Sequence, residues 1–387
     1  MKFLARLRAG EPMTDLCREY EISRKTGYKF LKRFEQLGVI GLVDQRRVPE
    51  RIPHRTSPEV TELITTLREE HPTWGAKKLR KVLEGRHPDV RLPSNSTIGE
   101  VLKRQGLVTS RRRRRSVTTP FSPLSHATAP NDVWCIDYKG QFRLRNGRYC
   151  YPLTLTDAAS RYILACEAFD RISGDDVRTV LDATFRTYGV PTAIRYDGGS
   201  PFASSGLQRL SKVSVWWLQL GIKLEQIEPA SPQQNGRHER MHRTLKAETT
   251  RPPAATLLQQ QERFDAFVEI FNRDRPHEAL AMHRPLDVYE RSPREYDANL
   301  PVPLYPLHDL VATVSSCGHV RLPGSGRAGG HYFLSNALAG QRVGLREIAD
   351  YQWLVSFLKL DLGVIDEKDH KFTPGTPSSL EPEAASL

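Results

Sequence analysis

Three acidic side chains occupy positions from which they could share one chemical task. Asp137 follows the apolar run at residues 133–136, and Asp197 follows residues 193–196 directly before two glycines. Glu239 lies on a predicted helix further along the chain. Strand ends are rigid and open to substrate, so carboxylates that meet at one sheet edge could hold two hard cations through oxygen ligands. Two such cations, ~4 Å apart, stabilise the attacking and leaving oxygens of an in-line phosphoryl displacement.

The predicted helix around Glu239 supports this chemistry only in part. His242, Arg243 and Lys246 follow at i+3, i+4 and i+7, so they share a face with the carboxylate. Cations beside a carboxylate suit a metal ligand that lies against a DNA backbone. The ordinary alternative is a solvated face with an ion pair between Glu239 and Arg243, and this helix alone favours that alternative.

Other acidic residues compete for the same assignment, because the chain holds 45 of them. Asp157 falls in a predicted hairpin turn, where aspartate is common for backbone reasons. Another four lie at or within a helix start, where they cap the helix or offset its dipole: Asp170, Asp175, Asp176 and Asp182. Position alone therefore leaves the choice of metal ligands open.

The elements that would position these carboxylates form a mixed α/β pattern. Strands are predicted at residues 133–137, 149–156, 162–169, 193–196 and 222–227. Helices are predicted at residues 173–188, 208–220 and 262–272, and a long helix runs from Pro232 through Glu239 and Lys246. Three strands followed by alternating helices and strands indicate a mixed α/β core over residues 131–295.

Positive charge is concentrated in the N-terminal third of the chain. The whole chain carries a formal net charge of +12. Residues 1–130 hold 27 Lys and Arg against 14 Asp and Glu, which leaves the remainder at −1. Such asymmetry indicates a polyanion partner, most often nucleic acid. The ordinary alternative, a basic surface with no partner, is weaker where helical patterns typical of DNA binding lie in the same third.

Two all-helical modules are predicted in this basic third, at residues 1–45 and 57–108. In the first, Ser23 caps a helix whose apolar side chains can face a core: Tyr28, Leu31 and Phe34. The last helix of a helix-turn-helix enters the major groove with its N-terminal residues at base edges. We therefore expect DNA contacts from cations of both modules: Arg24, Lys25, Lys29, Lys32, Arg33, Lys77 and Lys78. The ordinary alternative is a pair of amphipathic helices without a nucleic-acid role.

Three further segments complete the domain organisation. Residues 109–130 are predicted to be a flexible linker that begins with a phosphate-binding run of Arg111, Arg112, Arg113, Arg114 and Arg115. Residues 301–370 contain short predicted strands separated by Gly and Pro turns, which indicate a small β-barrel. Residues 371–387 are rich in Pro, Ser, Thr and Glu and are predicted to be disordered.

Composition argues against several classes of protein. No stretch approaches the roughly 20 apolar residues of a membrane span, and the N-terminus lacks the apolar region of a signal peptide. The 5 cysteines are scattered singly without a CxxC pair, which argues against a zinc site and a disulfide framework. These features predict a protein of the reducing cytoplasm.

Five sequence blocks carry a family resemblance. They are WCID at residues 134–137, YPLTLTDAASRY at 151–162, RYDGGSPF at 195–202, PQQNGRHERMHRTLK at 232–246 and NRDRPHEAL at 272–280. In these blocks and their order the chain resembles bacterial insertion-sequence transposases of the retroviral-integrase superfamily, which have a ribonuclease-H-like core with an Asp-Asp-Glu site. The core resemblance covers about residues 130–290, and the helix-turn-helix region extends it to most of the chain.

The resemblance implies that Asp137, Asp197 and Glu239 are the catalytic residues and hold two Mg²⁺ ions, with Mn²⁺ as a substitute. It implies a metal-dependent polynucleotidyl transferase that nicks DNA at the element ends and joins the freed 3′-OH to target DNA. The expected partners are double-stranded DNA, from terminal repeats and target, and further copies of the chain in a homo-oligomer on that DNA. Further DNA contacts are expected from the cations after the third carboxylate: Arg240, Arg243 and Lys246.

The chain departs from the family pattern in two places. The family usually has Asn after the second Asp, where this chain has Gly198. Because that side chain is not a metal ligand, we expect reduced or altered activity at worst. Glu239 follows Asp197 by 42 residues, more than in the retroviral enzymes, and the predicted helix at residues 208–220 absorbs the excess.

Two other functions share parts of this pattern. A helix-turn-helix DNA-binding regulator with an inactive integrase core would keep the N-terminal modules, but the presence of all three carboxylates argues against it. A ribonuclease-H-type RNA hydrolase would share the core without needing two DNA-binding modules.

Overall fold

A computed structural model of the protein describes residues 2–43, 56–108, 126–228, 232–322 and 330–375. The predicted arginine run at residues 111–115, most of the predicted linker and the tail beyond residue 375 lie outside these ranges. Contacts divide the chain into two units, Met1–Ser57 and Pro58–Leu387. Among the described helices, none is both long and apolar enough to pass through a lipid bilayer.

Three helices and a 3-10 turn form the first unit: α1 (Lys2–Arg8), α2 (Met13–Glu19), α3 (Arg24–Leu37) and Gly38–Leu42. α3 meets α2 at Gly27, where an added Cβ would lie 2.7 Å from the Cys17 sulfur. Since Gly27 takes the contact with α2, the neighbouring Tyr28 points outward and is 59% exposed. The prediction that Tyr28 faces a core was wrong, whereas Leu31 and Phe34 do pack against the core of this unit.

The second unit begins with α4 (Pro58–Glu70), α5 (Ala76–Arg86) and α6 (Asn95–Arg104), within the segment predicted as the second helix-turn-helix. Their apolar faces enclose a small core of Ile64, Leu67, Trp74, Leu79, Leu83, Ile98, Val101 and Leu102. Ser94 caps α6, because its hydroxyl accepts a hydrogen bond from the backbone N–H of Thr97 at 3.3 Å.

A six-stranded mixed sheet follows: β1 (Val133–Tyr138), β2 (Phe142–Arg143), β3 (Tyr149–Asp157), β4 (Ile163–Phe169), β5 (Ala193–Tyr196) and β6 (Lys223–Gln226). β3 pairs antiparallel with β1, β2 and β4, which makes an antiparallel half at one side of the sheet. β5 pairs parallel with both β1 and β6. The sheet therefore has the mixed α/β architecture that the strand and helix pattern predicts, and the ribonuclease-H-like arrangement that the family resemblance implies.

Helices cover both faces of this sheet: α7 (Gly174–Tyr188) and α8 (Lys212–Gln219) on one, α9 (Gly236–Thr249) and α10 (Leu257–Arg273) on the other. On the first face, Trp134 and Leu153 of the sheet pack with Phe185 of α7. On the second face, Met241 of α9 packs with Cys166 of β4. A short helix, α11 (Pro285–Val288), follows α10. The central strands are thus buried on both sides, and their ends are the parts that reach solvent.

Contacts across long sequence separations join the second helical module to this core. The Glu248 carboxylate at the end of α9 forms an ion pair with Arg275 Nη1 at 2.7 Å and accepts a hydrogen bond from the Thr73 hydroxyl. Lys77 of α5 forms a more exposed ion pair with Glu278 at 2.8 Å. Ile270 of α10 packs against the apolar core of the module. The module and the mixed α/β core therefore belong to one unit.

Two antiparallel sheets close the described part of the chain. β7 (Leu310–Thr313), β10 (Arg342–Ala349), β11 (Gln352–Phe357), β12 (Leu360–Asp366) and β13 (Lys371–Pro374) form one, and β8 (His319–Arg321) pairs with β9 (His331–Phe333). Their closure into a barrel stays a prediction. β13 uses residues 371–374, which the sequence assigned to the disordered tail, because their backbone pairs with β12.

The helix predicted at residues 208–220 is shorter than expected. Gln208 and Arg209 have positive φ angles of 45° and 58° within a 3-10 turn, which no α-helix accommodates. α8 begins only at Lys212, after Ser211 has capped it through the backbone N–H of Ser214 at 3.1 Å. The 3-10 turn contributes Leu207 to the core of the C-terminal sheets.

The junction between module and core can be tested by removing its carboxylate. Glu248→Ala leaves the Arg275 cation, whose side chain is 9% exposed, without its partner. Breaking a buried ion pair in this way should lower the free energy of unfolding by about 3 kcal/mol. The matched control, Glu278→Ala, removes a pair with both side chains 59% exposed and should cost less than about 1 kcal/mol. Equal losses in urea unfolding of the two variants would contradict this interpretation of the junction.

Candidate active site

Asp137 lies at the centre of the site because β1 is the strand that joins the antiparallel and parallel halves of the sheet. Its side chain is 21% exposed. Burial, and next the negative charge of Asp197, raises the pKa of the Asp137 carboxyl to about 7; the charge of Glu239 acts in the same direction. Asp197 and Glu239 therefore lie within electrostatic reach of Asp137.

Asp197 follows β5 directly, and the parallel pairing of β1 with β5 brings their carboxyl ends to the same edge. The backbone N–H of Gly199 donates a hydrogen bond to Asp197 Oδ1 at 3.2 Å and so orients the carboxylate. A Cβ on Gly199 would lie 3.3 Å from both carboxylate oxygens. Glycine at this position therefore leaves the two oxygens accessible from the backbone side.

Glu239 lies in the first turn of α9, and its side chain is exposed. The structure divides the face that the sequence assigns to Glu239 and His242: His238 and His242 are 1% and 5% exposed, whereas Glu239 is exposed. α9 is thus oriented with its histidines against the sheet and its carboxylate toward solvent.

A buried hydrogen-bond network fixes α9 to β3. His238 Nε2 and His242 Nε2 lie 2.7 Å and 2.6 Å from the Thr154 hydroxyl. His238 Nδ1 lies 2.8 Å from the Thr156 hydroxyl. Burial lowers the pKa of His238 to about 3, and burial lowers the pKa of His242 as well, so both rings are neutral. Sequence reasoning missed this pair; two histidines four residues apart beside Glu239 were the available signal.

The donor set fits hard cations. Carboxylate oxygens such as those of Asp137, Asp197 and Glu239 are ligands that hard cations prefer. Within the described part of the chain, the compact group of potential ligand atoms is that of Asp137, His238 and His242, which lie within 4.8 Å of one another. Asp137 belongs to both sets, and a metal site made of the three carboxylates stays a prediction.

The rival acidic residues have structural partners instead. Asp157 is 1% exposed; its carboxylate accepts hydrogen bonds from Ser160 N and Oγ at 2.7 and 2.6 Å and from Asn131 N at 2.8 Å. Asp170 pairs with Arg148 at 2.8 Å, and Asp182 pairs with Arg186 at 2.8 Å. Asp176 lies 3.8 Å from Arg171, and Asp175 lies in the first turn of α7.

Gly198 occupies a crowded position beside the second carboxylate. An added Cβ would lie 2.9 Å from Arg209 Nη2 and 2.9 Å from the amide nitrogen of Gln226. The absence of a side chain therefore makes room for the Arg209 guanidinium next to Asp197. A larger residue at this position would require Arg209 and Gln226 to move.

The residues predicted to contact DNA have different environments. On α3, Arg33 is half-buried and the other four cations are exposed: Arg24, Lys25, Lys29 and Lys32. On α5, Lys77 is engaged by Glu278, while burial, and next the charge of Arg275, lowers the pKa of Lys78 to about 8. On α9, the exposed cations are Arg240, Arg243 and Lys246. Arg111 to Arg115 lie outside the described residues.

Comparison with protein-family models identifies the domains. Residues 127–232 and 220–285 match two models of the integrase core domain. Residues 1–49 match a helix-turn-helix domain, and residues 26–102 match a homeodomain-like domain. The five sequence blocks of the core and the helical modules thus coincide with domains that other proteins share.

Relatives of the chain come from insertion elements. A protein of insertion element IS407 from Burkholderia multivorans is 28% identical over 232 residues, which are 59% of this chain and 79% of that protein. A protein of insertion element IS136 from Agrobacterium fabrum is 32% identical over 164 residues, 39% of this chain and 79% of that protein. The solved catalytic core domain of HTLV-2 integrase, in complex with magnesium, is 13% identical with a TM-score of 0.34, covering 42% of this chain and 98% of that one.

The raised pKa of Asp137 makes stability depend on pH when no metal is bound. The folded protein keeps a proton on Asp137 up to about pH 7, whereas the unfolded chain releases it near pH ~4. This contribution to stability is therefore full below pH ~4 and is lost as pH rises through about 7.

Asp137→Asn should remove this dependence. In EDTA the variant should melt a few degrees above the wild type at pH 8, and the difference should narrow as pH falls to 5, measured by calorimetry across that range. The matched control is Asp89→Asn, at an exposed turn of the second helical module, which should follow the wild type at every pH. If the melting temperatures of the wild type and Asp137→Asn changed with pH in parallel, the raised pKa of Asp137 would not be the cause of the pH dependence.

Proposed function

We propose that this chain, which belongs to the insertion-element transposases with an integrase core domain, cleaves DNA at the ends of its element and transfers the freed 3′-OH to target DNA. The observation that carries the proposal is the parallel pairing of β1 with β5, which brings Asp137 and Asp197 to one edge of the sheet. Burial, and then the charges of Asp197 and Glu239, raise the pKa of Asp137, which supports the inclusion of Glu239. The helix-turn-helix domains support double-stranded DNA as substrate.

Asp137, Asp197 and Glu239 are the residues that would hold Mg²⁺, two ions in all, with Mn²⁺ as a substitute. When bound, the ions lower the pKa of an attacking water or hydroxyl and stabilise the charge on the leaving oxygen. The chain's own contribution is placement. Asp137 and Asp197 stand on paired parallel strands, and the Gly199 N–H holds the Asp197 carboxylate in one orientation.

The exposed cations of α9 would bind the DNA backbone beside these carboxylates. Arg243 and Lys246 lie four and seven residues after Glu239, on the same helical face, and Arg240 follows it directly. Phosphate contacts of this kind position the duplex without reading its sequence. Sequence recognition falls to the helix-turn-helix domains, above all to the N-terminal residues of α3. The reaction takes place on a homo-oligomer assembled on DNA in the cytoplasm.

Replacing Glu239 with Gln tests the catalytic proposal. The substitution keeps the size of the side chain but removes an anionic ligand, so Mg²⁺-dependent cleavage and joining of element-end DNA should fall roughly a hundredfold or more. Asp137→Asn and Asp197→Asn should act alike. The matched control is Glu269→Gln on α10, whose side chain is 63% exposed, and it should keep wild-type rates.

DNA binding measured in parallel separates this proposal from a regulator with an inactive core. All carboxylate variants should bind element ends as the wild type does. A wild type that binds these ends and never cleaves them under Mg²⁺ or Mn²⁺ would identify the protein as a regulator. Cleavage by Glu239→Gln at the wild-type rate would show that another acid is the third ligand.

Removing the first two cations of α3 tests the recognition helix. The double variant Arg24→Ala, Lys25→Ala should weaken binding to element ends. The slope of log K against the logarithm of the salt concentration should fall by ~1 for each removed cation that binds a phosphate in the wild type. The control, Arg18→Ala, removes a cation of the same unit that is 82% exposed on α2. If Arg18→Ala lost half as much affinity as the double variant, the effect would come from net charge and not from a recognition helix.

A further inference from the structure

The buried side of α9 offers an additional donor to the proposed catalytic site. We propose that Nδ1 of His242 is a ligand of the metal ion held by Asp137, so that this ion takes one nitrogen besides its carboxylate oxygens. The inference rests on the proposed function, since it assumes that Asp137 binds a metal. It adds His242 to the three carboxylates of the proposed site.

Hydrogen bonding around Thr154 fixes the proton on the His242 ring. The Thr154 hydroxyl contacts three groups: the backbone carbonyl of Asp137 at 3.1 Å, His238 Nε2 at 2.7 Å and His242 Nε2 at 2.6 Å. A hydroxyl has one hydrogen and two lone pairs. Because a carbonyl can only accept, the hydroxyl donates to Asp137 O and accepts from both rings. This arrangement satisfies all three contacts at once.

The consequence is a bare Nδ1 facing a carboxylate. An imidazole buried to 5% exposure carries one proton, and here that proton is on Nε2. Nδ1 of His242 lies 3.7 Å from Asp137 Oδ2, too far for a hydrogen bond. A cation between the two atoms would contact a lone pair of each.

The distance between these two atoms suits a shared ion. Two ligand atoms that each lie ~2.1 Å from a metal are about 3 Å apart at a right angle and about 4 Å apart when opposite. The observed 3.7 Å falls between these limits. The ligand atoms of Asp137 and His242 belong to the same compact group of metal-binding side chains.

His238 has a different role, although it lies in the same group. Its Nε2 donates to Thr154, and its Nδ1 accepts from the Thr156 hydroxyl at 2.8 Å. Both nitrogens are therefore occupied. Its ring packs edge-to-face against His242 with centroids 4.5 Å apart, which holds the His242 ring in place. Of the two histidines, His242 is the one with a lone pair available to a metal, and His238 is a positioning residue.

A nitrogen ligand changes which metals the site prefers. Imidazole suits Co²⁺, Ni²⁺ and Zn²⁺ better than Mg²⁺, which prefers oxygen ligands. His242→Gln separates the two functions of the ring, because the glutamine amide can still donate to Thr154 but offers nothing at the Nδ1 position. We therefore expect His242→Gln to lower Co²⁺ affinity at least ~10-fold while Mg²⁺ affinity changes far less.

The experiment is a titration of the full-length chain with Co²⁺ and with Mg²⁺, followed by visible absorption and calorimetry without DNA. The matched control is His277→Gln, which changes a half-buried histidine outside the site and should leave both affinities unchanged. Equal Co²⁺ affinity and absorption for His242→Gln and wild type would overturn the inference. Asp137→Asn with wild-type Co²⁺ binding would instead overturn the metal site itself, and with it the proposed function.

A measurement on the unaltered protein covers the case in which His242→Gln fails to fold. In wild type labelled with ¹⁵N-histidine, Zn²⁺ should shift the Nδ1 resonance of one buried histidine that keeps its Nε2 proton. Asp137→Asn should abolish that shift. A Zn²⁺ titration in which no buried histidine nitrogen moves would overturn the inference, whatever the variant does.

Discussion

Asp137 and Asp197 stand on paired parallel strands, β1 and β5, whose carboxyl ends share one edge of the sheet, so the fold must hold two like charges there against their repulsion. Burial raises the pKa of Asp137 to about 7, and the charge of Asp197 adds to that effect. Parallel pairing fixes two of the carboxylates, and α9 brings the third. In the proposed function this site binds positive charge, and its geometry would depend on the rigidity of these three elements.

α9 connects this site to the second helical module. Glu239 lies in its first turn. Near its end, Glu248 forms an ion pair with Arg275 and accepts a hydrogen bond from Thr73 of the module. Nine residues of helix, about 14 Å, separate the two carboxylates. Between them, His242 contacts Thr154 on β3. One helix thus connects the proposed catalytic site to a module that carries predicted DNA contacts.

Local patterns predicted most of what depends on local physics. The strand that contains Asp137 and the helix that carries Glu239 lie where apolar runs and helical periodicity indicate. The prediction failed where contacts between elements decide the outcome. Gly27, and not Tyr28, makes the contact between α3 and α2. Positive φ angles at Gln208 and Arg209 interrupt a helix that the sequence pattern predicts to be continuous. The histidine network joins residues 84 and 88 positions apart, a separation that no periodicity encodes.

The central claim is that positive charge belongs between the three carboxylates. Crystals grown with Mn²⁺, examined by anomalous diffraction, test it most directly, because the anomalous signal locates each ion independently of the protein atoms. We expect ion density within coordination distance of Asp137, Asp197 and Glu239. Density at other acidic residues with none at these three would contradict the claim.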